Sequence, residues 1–222
     1  MKAVIFDWDG TLVDSRNVIV ESYKKVLSEI GYNIDADFIL KRIGIGVQKI
    51  FIDFFNEKNI PYDMDMIKKL SDRKNRIHME SSDKIKILEG SIELLESLKG
   101  KVRIALATMG NEIVIQHIIN IKGLGKYFNV VVTGDEIKKP KPDPGIFLKT
   151  ADLLDILPEN CLVIEDSVYG VKAAKKANMK CIAVTSGPFS REEVERESPD
   201  LIVKSLKELN YETIMNLFNT RV

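Results

Sequence analysis

The chain opens on an unbroken apolar run, Ala3-Val4-Ile5-Phe6, which predicts a buried strand. The period then changes. Ile19, Tyr23, Val26, Leu27 and Ile30 recur at helical spacing until Gly31 stops the run. Asp35 and Asp37 are candidate N-caps for a short helix through Arg42. Val47, Ile50, Phe51, Phe54 and Phe55 follow the i, i+3, i+4, i+7, i+8 rule and trace one face of a further helix. Pro61 breaks that stretch, and a polar helix is predicted from Asp63 to about Glu80. Residues 15–80 therefore read as all-helical, with Ser81-Ser82-Asp83 as a linker.

Beyond the linker, short apolar strands alternate with helices. A helix carrying Ile92, Leu94, Leu95 and Leu98 is closed by Gly100. Strands are predicted at 102–107, 129–132, 161–164, 181–184 and 201–203, with helices over Ile113–Ile118, Gly145–Leu154 and Val168–Ala177 and one at the C-terminus. This alternation implies a parallel sheet covered on both faces, a Rossmann-like α/β core. The helical block interrupts it after the first strand. The predicted domains are a core of residues 1–14 and 84–222 and an inserted helical cap of residues 15–83.

Composition adds mainly exclusions. The 222 residues carry 33 Lys+Arg against 33 Asp+Glu, so the charge balance points to neither nucleic acid nor a membrane surface as partner. No apolar run approaches a membrane span and the N-terminus has no signal-peptide pattern, so a soluble cytoplasmic protein is expected. Cys161 and Cys181 sit in or beside strand-like runs and read as reduced core thiols. His78 and His117, the only histidines, fall in helical patterns and read as surface or packing residues; they are too few for a histidine-rich zinc site.

The chemistry collects at strand ends. The first strand runs into Asp7-Trp8-Asp9-Gly10-Thr11, and Thr108 follows the strand at 102–107. Lys141 lies in the loop after the strand at 129–132, and Glu165-Asp166-Ser167 follow the one at 161–164. In a parallel sheet all carboxyl ends share one edge, where ligands bind, so these residues can converge. Four carboxylates there repel one another unless some protonate or a cation joins them. All-oxygen ligation suits Mg²⁺. Lys141 then has a second anion to meet, most simply a phosphate, and Thr108 adds a hydroxyl donor. The set suits phosphoryl transfer through an aspartyl-phosphate. A calcium loop at Asp7–Gly10 is disfavoured by the preceding strand.

The same residues carry a family resemblance. Asp7 to Ser15, Asp-Trp-Asp-Gly-Thr-Leu-Val-Asp-Ser, resembles motif I of the haloacid dehalogenase superfamily, and Thr108 its motif II. Lys141-Pro142-Asp143-Pro144-Gly145-Ile146-Phe147 resembles motif III, and Val163 to Ser167 with Gly170, Ala173, Ala174 and Ala177 resembles motif IV. A helical cap after motif I is similar to the subgroup of phosphoglycolate phosphatase-like and β-phosphoglucomutase-like proteins. The resemblance implies Asp7 as nucleophile and Mg²⁺ ligand, and Asp9 as general acid/base with its backbone carbonyl on the metal. It implies Thr108 and Lys141 as phosphoryl contacts and Asp166 as a direct metal ligand, with Glu165 bound directly or through water. Lys141 rather than Lys139 keeps the motif III register. Gly44, in a cap loop of that subgroup, and Met109 and Gly110 beside the motif II hydroxyl are candidate substrate contacts.

The implied activity is a Mg²⁺-dependent phosphatase acting on a small phosphorylated metabolite, as a monomer or homodimer. A sugar-phosphate mutase is the alternative, and a non-catalytic phospho-ligand-binding module a further one. Thr11, Ile19 in place of the mutases' usual hinge histidine, and Gln48 and Lys49 where those mutases carry an arginine all favour transfer to water. Met109 and Glu89-Gly90 depart from the family's common Asn and Pro-Gly.

Overall fold

The computed structural model describes residues 1–219. β1 (Ala3–Phe6) is central to a six-stranded parallel sheet that also holds β4 (Arg103–Ala107), β5 (Val130–Val132), β6 (Cys161–Glu165), β7 (Lys180–Val184) and β8 (Leu201–Val203). The spatial order is β5-β4-β1-β6-β7-β8. The order reverses at β1, which pairs in parallel with β4 on one side and β6 on the other. Such a switch point opens a crevice at the strands' carboxyl ends.

Alternation along the strands separates two cores. Val4, Phe6, Ile104, Leu106, Leu162 and Ile164 face a layer built from α5 (Ser91–Leu98), α6 (Glu112–Ile121) and α10 (Tyr211–Asn219). Ala3, Ile5, Ala105, Ala107, Val163 and Cys181 face α7 (Gly145–Leu153), α8 (Val168–Lys176) and the five-residue α9 (Arg191–Glu195). The α/β architecture agrees with the sequence reading. Cys161 and Cys181 are buried free thiols.

A helical block lies between β1 and β4. It comprises α1 (Arg16–Glu29), α2 (Ala36–Leu40), α3 (Val47–Glu57) and α4 (Met64–Glu80). Asp35 caps α2 and Asp63 caps α4 through their side chains, each accepting a backbone N–H. Gly31, at φ +81°, ends the α1 stretch in the left-handed region. The block has its own core, with Tyr23 and Phe51 at 4.8 Å between ring centroids and Phe54, Phe55 and Ile67 packed around them.

Two differences from the sequence reading concern short elements. The chain enters and leaves the block through a two-residue ladder, β2 (Val13–Asp14) antiparallel to β3 (Lys86–Ile87). Ser82–Lys84, which overlaps the expected linker of residues 81–83, forms one turn of 3₁₀ helix. Backbone bonds from Leu88 and the Ser91 hydroxyl to the Leu12 carbonyl lock this crossing to the core. Among the described residues no helix is long and apolar enough to cross a membrane.

Phe51 is fully buried at the centre of the block. Phe51→Ala is expected to cost about 3–5 kcal/mol in a urea titration. A loss under about 1 kcal/mol would mean that the block core is far looser than this packing.

Candidate active site

The strand ends meet as the parallel topology requires. Asp7 follows β1 directly, and its backbone N–H donates to the Ile164 carbonyl on β6. Lys141 reaches in from the loop after β5. Its ammonium donates to Asp7 Oδ1 at 2.5 Å and to Glu165 Oε1 at 2.7 Å, and its side chain is fully buried. Lys139 is exposed, so Lys141 is the lysine of the site.

Glu165 is almost saturated. Its Oε2 accepts from the Asp166 and Ser167 backbone N–H groups at 2.8 and 2.7 Å and from the Ser167 hydroxyl at 2.9 Å. Gly170 makes this possible, because a Cβ there would sit 1.7 Å from Glu165 Oε1. Asp166 accepts only from the Thr11 hydroxyl, at 3.3 Å through Oδ1, while its buried Oδ2 has no partner. Gly10 holds a positive φ of +87°, and a Cβ there would lie 2.2 Å from that same Oδ2. The chain thus clears a berth around one unsatisfied carboxylate oxygen.

Asp7, Glu165 and Asp166 each present an oxygen, all within 4.8 Å of one another. An oxygen-only set with a bare buried lone pair fits a hard divalent cation. Asp9 does not join through its carboxylate. That group accepts a short hydrogen bond from Ser15 Oγ and lines the cavity beneath the helical block.

Electrostatics follow from burial. Asp7 is raised from 3.8 to about 8 by desolvation, with the Lys141 charge opposing and Glu165 adding to the rise. Asp166 is pushed well above its usual range by burial and by Glu165 and Asp7. Asp9 is raised by burial, with the Ser15 bond opposing. Two carboxylates at 2.5 and 2.7 Å hold Lys141 firmly protonated against its own desolvation.

Thr108 is buried and lines the same cavity; its Oγ1 accepts from the Gly110 N–H at 3.1 Å. Asn111, not Thr108, caps α6. Gly44, Met109 and Gly110 also border the cavity, together with Ile19 from α1. Of the two histidines, His117 is exposed and bonds Ser82, and His78 is buried on the inner stripe of α4 and also borders the cavity. His78, Lys74 and Asn75, all on α4, line the cavity opposite Asp9. Lys74 Nζ lies 3.0 Å from His78 Nδ1. Burial lowers Lys74 to about 8, with Asp9 opposing, and burial together with the Lys74 charge holds His78 well below its usual value. Sequence reasoning missed these three. The available signal was polar residues at positions 74 and 78 of a stripe that otherwise holds Ile67, Leu70 and Ile77.

This arrangement is that of a haloacid dehalogenase-like hydrolase, and a sequence model of that family matches residues 4–184. The chain belongs to the family, and it is an enzyme of the phosphoric monoester hydrolase kind. It is 34% identical over 190 residues to a phosphorylated carbohydrates phosphatase of Thermotoga maritima, covering 82% of this chain and 84% of that protein. It is 31% identical to the β-phosphoglucomutase of Bacillus subtilis, over 94% of this chain and 95% of that one. Among solved structures, a β-phosphoglucomutase from Clostridium difficile superposes with a TM-score of 0.89 at 27% identity, covering 99% and 97% of the two chains.

The raised carboxyls set a pH dependence. Between pH 3.8 and about 8 Asp7 keeps a proton in the folded chain that it has lost in the unfolded one. The part of the stability that this carboxyl contributes is therefore expected to fall as pH rises through that window. A divalent cation displaces those protons, so thermal melting should show little stabilisation by the cation at pH 5 and clear stabilisation at pH 8. Cation stabilisation that weakened with rising pH would contradict the assignment.

Proposed function

We propose that the protein is a Mg²⁺-dependent phosphatase that hydrolyses a small phosphorylated metabolite through an aspartyl-phosphate. The observation that carries this reading is the Asp7 carboxylate gripped by buried Lys141 beside the unpartnered oxygen of Asp166. Asp7, Asp166 and the Asp9 backbone carbonyl would hold Mg²⁺, which when bound supplies charge neutralisation to the phosphoryl oxygens. Glu165, its lone pairs largely taken, supports the metal site mainly by fixing Lys141 and the Asp166 backbone.

In this reading one Asp7 oxygen attacks phosphorus and the ester P–O bond breaks. Asp9, raised by burial, delivers its proton to the departing oxygen. Asp9 then takes a proton from water as that water attacks the aspartyl-phosphate, which frees phosphate and restores Asp7. Lys141 and the Thr108 hydroxyl hold the phosphoryl oxygens. Residues 15–83 act as a cap that excludes bulk water, in a cytoplasmic enzyme.

A mutase is the second reading, favoured by the 31% identity with β-phosphoglucomutase. Lys74 is the only cation that the helical block brings to the cavity among the described residues.

The test is phosphate release from a panel of phosphorylated metabolites, with Mg²⁺ and with chelator, beside Asp7→Asn. Release should require the metal and fall by about three orders of magnitude or more in the variant. Release that survived Asp7→Asn would remove Asp7 as nucleophile. Conversion of a hexose 1-phosphate to its 6-phosphate without phosphate release would favour the mutase.

A further inference from the structure

The phosphoryl end of the cavity is fully accounted for by the strand ends, but the opposite wall is not. That wall belongs to α4, and two of its buried polar atoms, His78 Nε2 and Asn75 Oδ1, have no hydrogen-bond partner. Residues 75 and 78 are three apart on one helix and therefore neighbours on one face. Around them the cavity is apolar, with Ile19, Ile43, Val47 and Ile50 from the block and Val114 and Ile115 from α6. Buried polar atoms left bare on such a wall mark a place where a ligand supplies the missing partners.

The Lys74 contact decides what His78 can offer. An ammonium has donors and no acceptor, so Nδ1 must accept from it, and the ring proton of neutral His78 sits on Nε2. The wall therefore presents one N–H donor and one amide acceptor from neighbouring positions of one helix face. A hydroxyl satisfies both at once, because it accepts and donates; a carboxylate or a second phosphate can use only the donor.

We propose that His78 and Asn75 form a hydroxyl-reading pair that selects phosphate monoesters whose leaving group carries a hydroxyl, with Lys74 as the residue that fixes the His78 tautomer. This rests on the phosphatase reading and adds to it the leaving-group chemistry that the helical block recognises. Neutral His78 is consistent with its burial and with the adjacent Lys74 charge.

The experiment compares glycerol 3-phosphate and ribose 5-phosphate with propyl phosphate, in the full-length protein and in His78→Phe and His78→Gln. His78→Phe should lower kcat/KM for the hydroxylated esters at least about tenfold more than for propyl phosphate, the effect of one lost hydrogen bond. His78→Gln, which keeps a donor, should recover part of that difference. Equal losses on all three esters would reduce His78 to a packing role and overturn the proposal, as would an unchanged preference.

A second readout does not depend on turnover. The protein has two histidines, so nitrogen NMR resolves both imidazoles. Glycerol 3-phosphate or ribose 5-phosphate should shift the His78 Nε2 signal, propyl phosphate should leave it near its free position, and exposed His117 should respond to none. If none of these three esters is hydrolysed, this measurement alone decides His78, and the broader panel beside Asp7→Asn decides the phosphatase reading. A His78 signal unmoved by both hydroxylated esters would overturn the pair.

Discussion

Everything in the site hangs on one buried ammonium. Lys141 is fully removed from water, which costs several kcal/mol unless its charge is matched at close range. Asp7 on the β1 end and Glu165 on the β6 end provide the match, so a single cation ties two neighbouring strands and the loop after β5 into one rigid corner. The match is deliberately incomplete. Asp7, Glu165 and Asp166 bring three negative charges when ionised and Lys141 removes one, leaving two. That residual charge, in a place stripped of water, can be relieved by protons or by a divalent cation, and it raises the Asp7 and Asp166 carboxyls together with their burial.

Glu165 shows how such a corner is kept in shape. It accepts four hydrogen bonds, one from Lys141 and three from the turn that begins α8, and therefore sets the backbone from which Asp166 projects. Gly170 on α8 exists in this scheme as empty space, since any side chain would strike Glu165. The alanines that follow it, Ala173 and Ala174, let α8 lie close against the sheet. Small residues on a helix here serve the placement of a carboxylate on a strand, and the helix, the turn and the charge cluster are one construction.

Most of the core was legible because its logic is local. An apolar run that ends abruptly in Asp7 or Glu165 marks a strand and its functional end together, and parallel topology then brings distant ends to one edge. What escaped was either too short for periodicity or too dependent on opposing surfaces. The β2–β3 ladder has two residues a side, and α9 has five, so neither repeats long enough to be read. Lys74, Asn75 and His78 were hidden for a different reason. Their helix was recognised, but nothing in its own sequence says that the upper part of its buried stripe faces Asp9 across a cavity rather than the block's Phe51 and Phe55.

The way the block rests on the core bears on how a substrate reaches that cavity. The cavity lies between the two halves, with Asp9 and Thr108 from the strand ends on one side and Lys74 and His78 from the block on the other. Across the gap, Lys41 pairs with Glu193 at 2.8 Å and the Tyr169 hydroxyl donates to the Lys41 carbonyl, yet both charged side chains are well exposed, at 44% and 37%. An ion pair so placed contributes about 0–1 kcal/mol. The block also has an aromatic core of its own and joins the sheet through the short β2–β3 crossing. In the proposed phosphatase reading, the strand ends supply the charges for phosphoryl transfer, and the block carries the polar wall proposed to meet whatever is attached to the phosphate.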